Sequence, residues 1–170
     1  FSNSFGGLCS DWTQRWAEAA QGADVVLAVL GAWDVFDIEL ESGTVVFATP
    51  EWDAMFTANV TAGLDAMAPS GAHVGLLEVA CMRPVEAAGA GVPPLPERGD
   101  DSRVAHVNGL LRSVADARAD TTFVPGPVEW CNDEAIATNL GHRWDGVHVY
   151  KPGAKLVYET IAPTLLELGR

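Results

Sequence analysis

Asp145-Gly146-Val147-His148 is the stretch of this sequence with the clearest capacity for chemistry. An acid and an imidazole three residues apart, just ahead of a helix, can share one turn with the carboxylate against one ring nitrogen. The acid then fixes the tautomer and stabilises the imidazolium, which leaves the other nitrogen to take a proton from a nucleophile. That is general-base work followed by general-acid work. Asp-x-x-His is also an ordinary surface pattern, an exposed acid beside a helix-entry histidine, so its context has to decide.

The elements that would position such a pair follow from hydrophobic periodicity. Asp11–Ala20 carries Trp12, Trp16, Ala19 and Ala20 at helical spacing. Asp24–Leu30 is a continuous apolar run, the pattern of a strand buried on both faces. The chain is then irregular through Gly43, with a short extended piece at Val45–Phe47. Thr49-Pro50-Glu51 reads as a cap, a first-turn proline and an acid opening a helix that ends near Pro69-Ser70-Gly71. His73–Ala80 is a second buried strand, Arg103–Arg118 a helix, Thr121–Val124 a third strand and Lys151–Leu168 a closing helix. Arg83–Asp101 and Pro125–Asp145 are long loops. Strands alternating with helices predict a three-layer α/β/α sandwich around a parallel sheet, with chemistry at the carboxyl ends of the strands. Gly31–Asp37, Ala80–Arg83 and the loops after Val124 lie there. Trp33, Asp34 and Arg83 flank the expected cleft, and His142 lies near it, so these four are the substrate-contact candidates. His73, His106 and Asn108 read as structural.

Composition narrows the field. The chain has 170 residues, 48% hydrophobic and 19% charged, which fits one globular domain and excludes disorder. A net charge of −13 excludes a nucleic-acid partner, which needs a basic stripe. No apolar run approaches the roughly 18 residues of a membrane helix. No Cys-x-x-Cys or histidine pair has zinc spacing and no glycine-rich phosphate loop is present, so neither a metal nor another cofactor is expected. The three cysteines are an odd number. Cys81 follows the second strand and Cys131 lies in the loop after the third, at one end of the sheet, so a Cys81–Cys131 disulfide is expected and with it an oxidising, extracytoplasmic setting. Cys9 is then left for a partner outside the sequence.

Asp145-Gly-Val-His148 followed by Pro152-Gly153-Ala154 and an apolar helix resembles the final block of the SGNH (GDSL-like) hydrolase family, a flavodoxin-like fold in which these residues complete a Ser-His-Asp triad. Gly31-Ala32-Trp33-Asp34 falls where the family carries Gly-x-Asn-Asp, whose Gly and Asn line the oxyanion hole. The resemblance assigns Gly31 to that role and puts Trp33, which has no amide, in the Asn position. The tryptophan-containing form of the block looks most like SGNH domains fused to membrane acyltransferase-3 proteins, which modify cell-surface or exported glycans.

The departure from the family lies at the nucleophile. No Gly-Asp-Ser occurs and no strand precedes Asp11; Ser2, Ser4 and Ser10 lack the required setting. The expectation is therefore a domain truncated at its N-terminus, with Phe1-Ser2-Asn3-Ser4 a cut end and the serine upstream. The resemblance implies an extracytoplasmic esterase or O-acyltransferase acting on O-acyl, chiefly O-acetyl, groups of a glycan or another acylated small molecule. It would be tethered to, or work with, a membrane acyltransferase domain. The alternative is a catalytically degenerate domain that binds or positions a glycan. A phospho-receiver shares the layout and a Lys-Pro pair, but the paired acids after the first strand are absent.

Overall fold

The computed structural model describes residues 10–86 and 94–170; Cys9, Ser2 and Ser4 lie outside the described residues. Three parallel strands form the central sheet in the order β1 (Val25–Ala28), β4 (His73–Leu77), β5 (Thr121–Val124). Val26 stands opposite Val74, and Leu76 opposite Phe123. A small antiparallel hairpin, β2 (Ile38–Leu40) with β3 (Gly43–Val45), sits apart from it.

The strand pleat sends alternate side chains to two helical layers. Val74 and Leu76 face a core with α2 (Pro50–Met67) and α3 (Asp101–Asp116), where Trp52, Phe56, Leu64, Val104, Val107 and Leu111 are buried. Behind them α1 (Trp12–Ala20) presses Trp12 and Trp16 against α2 at Gly63. On the other face Gly75 lies beside Leu27, Val124 and Leu165 of α6 (Lys151–Leu168). The three-layer α/β/α arrangement expected from the sequence is therefore present.

Local signals explain the helix ends. Thr49 accepts from the Trp52 N–H while Pro50 opens α2, and Asp100 accepts from Ser102 to open α3 two residues earlier than periodicity suggests. Asn108 uses its amide on both backbone groups of Val79 (2.8 and 2.9 Å), which fixes the chain where it leaves β4. His106 pairs with Asp53 at 2.7 Å and His73 with Thr122 at 2.8 Å, both structural contacts as expected.

Three readings change. Val25, Val26 and Leu27 are half-buried rather than buried, because β1 is an edge strand among the described residues. The extended piece expected at Val45–Phe47 lies two residues earlier, as β3, the second arm of a hairpin whose strands are too short for a periodic signal. The segment after β5 holds two one-turn helices, α4 (Glu129–Asn132) and α5 (Glu134–Ala137), the latter capped by Asp133.

Cys81 and Cys131 form a disulfide across a sequence separation of 50 residues. Closing a loop of that length restricts the unfolded chain and contributes about 2–4 kcal/mol. For a chain of this size each kcal/mol moves the melting midpoint by roughly 2–4 °C. Reduction, or Cys81→Ser with Cys131→Ser, is therefore expected to lower the thermal midpoint by about 10 °C in calorimetry; an unchanged midpoint would show that the bridge does not constrain the unfolded chain.

Candidate active site

The turn from Arg143 to Val149 closes on itself through an antiparallel bridge between those two residues and a 2.9 Å hydrogen bond from Gly146 N–H to the Arg143 carbonyl. Gly146 has φ +77°, a conformation that a side chain disfavours. The outgoing chain of β4 lies alongside. Arg83 N–H donates to the Gly146 carbonyl and Val85 N–H to the Asp145 carbonyl, each at 3.0 Å. A Cβ on residue 146 would stand 1.7 Å from the Arg83 carbonyl oxygen, so only glycine permits this approach.

Held this way, the Asp145 carboxylate is fully engaged. Oδ1 accepts the backbone N–H groups of Val147 (2.9 Å) and His148 (2.7 Å), while Oδ2 meets His148 Nδ1 at 2.6 Å. Burial works to raise the Asp145 pKa. Donation from the His148 backbone, the His148 ring and the Val147 backbone together outweighs it and holds the carboxyl below the usual range. The Asp145 side chain is 14% exposed and that of His148 51%, so the acid is inside and the imidazole faces out. The Trp144 ring stacks on His148, 5.5 Å between centroids and 16° between planes. With Nδ1 committed to the carboxylate, Nε2 is the nitrogen left to exchange a proton with a third group.

Sequence reading gave Arg143 no role, yet it fastens this turn to the rest of the site. It is 1% exposed, donates to the carbonyls of Cys81 and Ala137, and lies 4.3 Å from the Trp130 ring centroid. Desolvation, with the positive charge of Arg83 adding to it and Asp145 opposing, brings its pKa down to about 10. It remains a cation at neutral pH.

His148 and Asp145 open on a pocket of about 180 Å³ walled by Trp33, Pro84, Arg98 and Trp144. A second pocket of about 330 Å³ lies on the far side of Trp33, lined by Phe36, Asp37, Glu39, Glu97 and Arg103. Of the residues picked from the sequence, Trp33 is thus at the site, 48% exposed and shared by both pockets. Asp34 turns inward: its Oδ2 accepts the Gly31 N–H at 2.8 Å, and burial outweighs that bond and raises its pKa. Gly31, at φ +106° with Val79 packed against its open side, therefore has its N–H committed to a side chain. Arg83 is turned to Asp101 in a two-point ion pair of 2.7 and 2.9 Å. His142 meets Trp130 edge-on, and neither Arg83 nor His142 lines the 180 Å³ pocket. No serine, threonine or cysteine lines it among the described residues, and Ser10 lies in the turn before α1. Nor do three or more His, Cys, Asp or Glu side chains gather anywhere among the described residues as a metal site. Arg98 was missed because it sits in a Pro/Gly/Ala-rich loop where no periodicity marks a buried position.

Comparison with known proteins bears on the family and the fold. The family model described as "Protein of unknown function (DUF459)" matches residues 8–164. No curated protein matches the sequence. Among solved structures, a protein of Bacteroides fragilis described as a candidate acylhydrolase aligns with TM-score 0.64 at 17% identity, over 95% of this chain and 71% of that one. A protein of Streptococcus pneumoniae described as a candidate platelet activating factor aligns with TM-score 0.57 at 18% identity, over 84% of this chain. The alignment spans 59% of that protein's length. At these identities the likeness is one of fold, and the fold is the three-layer α/β/α sandwich.

Because Asp145 is held through residue 146, Gly146→Ala is expected to destabilise the chain by about 1–3 kcal/mol or more and to uncouple Asp145 from His148. Urea unfolding measures the first effect, and the His148 side-chain NMR shift the second. A variant with an unaltered midpoint and His148 signal would show that the close approach is not needed.

Proposed function

We propose that this chain, which belongs to the DUF459 family, supplies the histidine and acid of an SGNH-type serine acylhydrolase or O-acyltransferase. The observation that carries the reading is the 2.6 Å contact between His148 Nδ1 and an Asp145 carboxylate whose other oxygen is saturated by backbone N–H groups, beside a pocket with two tryptophans. An orienting acid held this firmly suits a base that must present Nε2 in one tautomer. The acylhydrolase description of a fold relative supports the same class.

The nucleophile is a serine outside residues 1–170. The open outer edge of β1 among the described residues, and the fold relatives' greater length, are consistent with a segment that adds there. In the first step His148 Nε2 takes the serine proton as the oxygen adds to the acyl carbonyl. The tetrahedral intermediate collapses, and the leaving alcohol receives that proton from His148. Water or a sugar hydroxyl then resolves the acyl-enzyme by the same steps in reverse. Asp145 orients the ring and stabilises the imidazolium throughout.

The substrate in this reading is an O-acyl, chiefly O-acetyl, group on a cell-surface glycan, with the exposed face of Trp33 as a platform for sugar. The Cys81–Cys131 bridge supports an extracytoplasmic location. Among the described residues no helix is long and apolar enough to cross a membrane; the membrane acyltransferase partner in this reading follows from the family resemblance alone.

The test uses the full-length protein and p-nitrophenyl acetate. His148→Ala is expected to abolish acetate release, and Asp145→Asn to lower kcat by up to about 10⁴-fold with little change in fold. Wild-type protein that releases no acetate would favour the non-catalytic, glycan-positioning alternative. An active wild type matched by His148→Ala would remove His148 from the mechanism.

A further inference from the structure

Arg98 is the one charged side chain in the pocket whose contacts inside the protein leave a donor over. It is 4% exposed. Nε donates to the Ala32 carbonyl at 2.8 Å, and the guanidinium lies 4.1 Å from the Trp33 ring centroid and 5.7 Å from that of Phe36. Its Nη2 is buried and has no hydrogen-bond partner among the described residues. No carboxylate forms an ion pair with it among the described residues. Asp145, which shares the pocket, has both oxygens already in use.

A buried guanidinium N–H without an acceptor is costly, and in a residue that lines a pocket a bound ligand oxygen is one way to satisfy it. Trp33 and the Ala32 carbonyl hold the plane of Arg98 in one orientation, so the donor is set before any ligand enters. The site also has a specific deficit: the Gly31 N–H is committed to Asp34, and Trp33 offers an aromatic face where an amide donor would serve. Asp34 and Trp33 therefore leave a developing negative charge on an acyl oxygen with one pre-set cation nearby, and that cation is Arg98.

We infer that Arg98 is the electrophilic residue of the site, binding the carbonyl oxygen of the acyl group through Nη2 and stabilising it as an oxyanion. This rests on the acyl-transfer reading above. As the nucleophile's oxygen forms its bond to the acyl carbon, the carbonyl π pair moves onto the acyl oxygen, which Arg98 neutralises. When that pair returns, the bond to the alcohol breaks and the alcohol oxygen takes the proton from His148 Nε2. Arg98 exchanges no proton and remains a cation at each stage. The same group would hold the carboxylate product, so acetate is a natural probe.

Two measurements separate failure of this inference from failure of the acyl-transfer reading. In the first, the 170-residue chain is titrated with sodium acetate, against sodium chloride at equal ionic strength, while the Arg98 Nε–H and Trp33 indole signals are followed by NMR. The expected result is a saturable shift that Arg98→Met abolishes and Arg98→Lys weakens, with thermal midpoints checking that both variants are folded. No acetate-specific shift in wild type, or the same Trp33 shift in Arg98→Met, would overturn the inference whether or not the protein is an esterase. In the second, full-length protein turns over p-nitrophenyl acetate. Arg98→Lys is expected to lower kcat about 10²-fold with KM nearly unchanged, as for loss of an oxyanion donor. If His148→Ala abolishes turnover while both Arg98 variants stay within twofold of wild-type kcat, Arg98 is a clamp between loops and the dyad assignment stands. If wild type is inactive, the acetate titration alone decides.

Discussion

The site depends on the approach of two backbones, residues 83–85 and 145–146, at a distance only glycine allows. Two 3.0 Å hydrogen bonds join them, and the Arg83 carbonyl occupies the space a Cβ on residue 146 would need. That contact sets where the Asp145 backbone lies, hence where its carboxylate meets the Val147 and His148 N–H groups, hence which way the imidazole points. A parallel sheet leaves the loops at its carboxyl edge to find such contacts for themselves, because they have no ladder to join.

Arginine side chains supply much of what those loops lack. Arg98 reaches the carbonyl of Ala32, Arg103 that of Val35, and Arg143 those of Cys81 and Ala137. A guanidinium suits this task because its donors form a rigid planar fork and its face stacks on aromatic rings, here Trp33, Phe47 and Trp130. In a chain of net charge −13, three arginines are thus spent on loop carbonyls, and one of them, Arg98, lines the pocket that holds His148. The disulfide at Cys81 adds a covalent tie to the same cluster of loops.

What was legible in the sequence follows from range. The four long helices, the succession of strands along the chain and the Asp145–His148 pair are written in local patterns: apolar periodicity, Thr49-Pro50 at a helix start, an acid and an imidazole within one turn. Cys81 and Cys131 could be paired because strand topology put both at one edge. The edge position of β1 was not legible, since a continuous apolar run reads the same in a central strand as in one open on a side. Nor were the destinations of Asp34 and Arg83, whose types suit a cleft but whose charges are used by Gly31 and Asp101. Arg98 and Arg143 were invisible for the converse reason. Arginine is ordinarily a surface residue, and only tertiary contacts with carbonyls and rings bury these two.

In the proposed reaction His148, oriented by Asp145, activates a serine carried outside these 170 residues. Labelling full-length protein with a fluorophosphonate and locating the adduct by mass spectrometry tests it most directly, because only an activated hydroxyl reacts. One adduct per molecule is expected, on a serine not among residues 1–170, and it is lost in His148→Ala. An adduct that survives His148→Ala, or no adduct on folded wild-type protein, would contradict it.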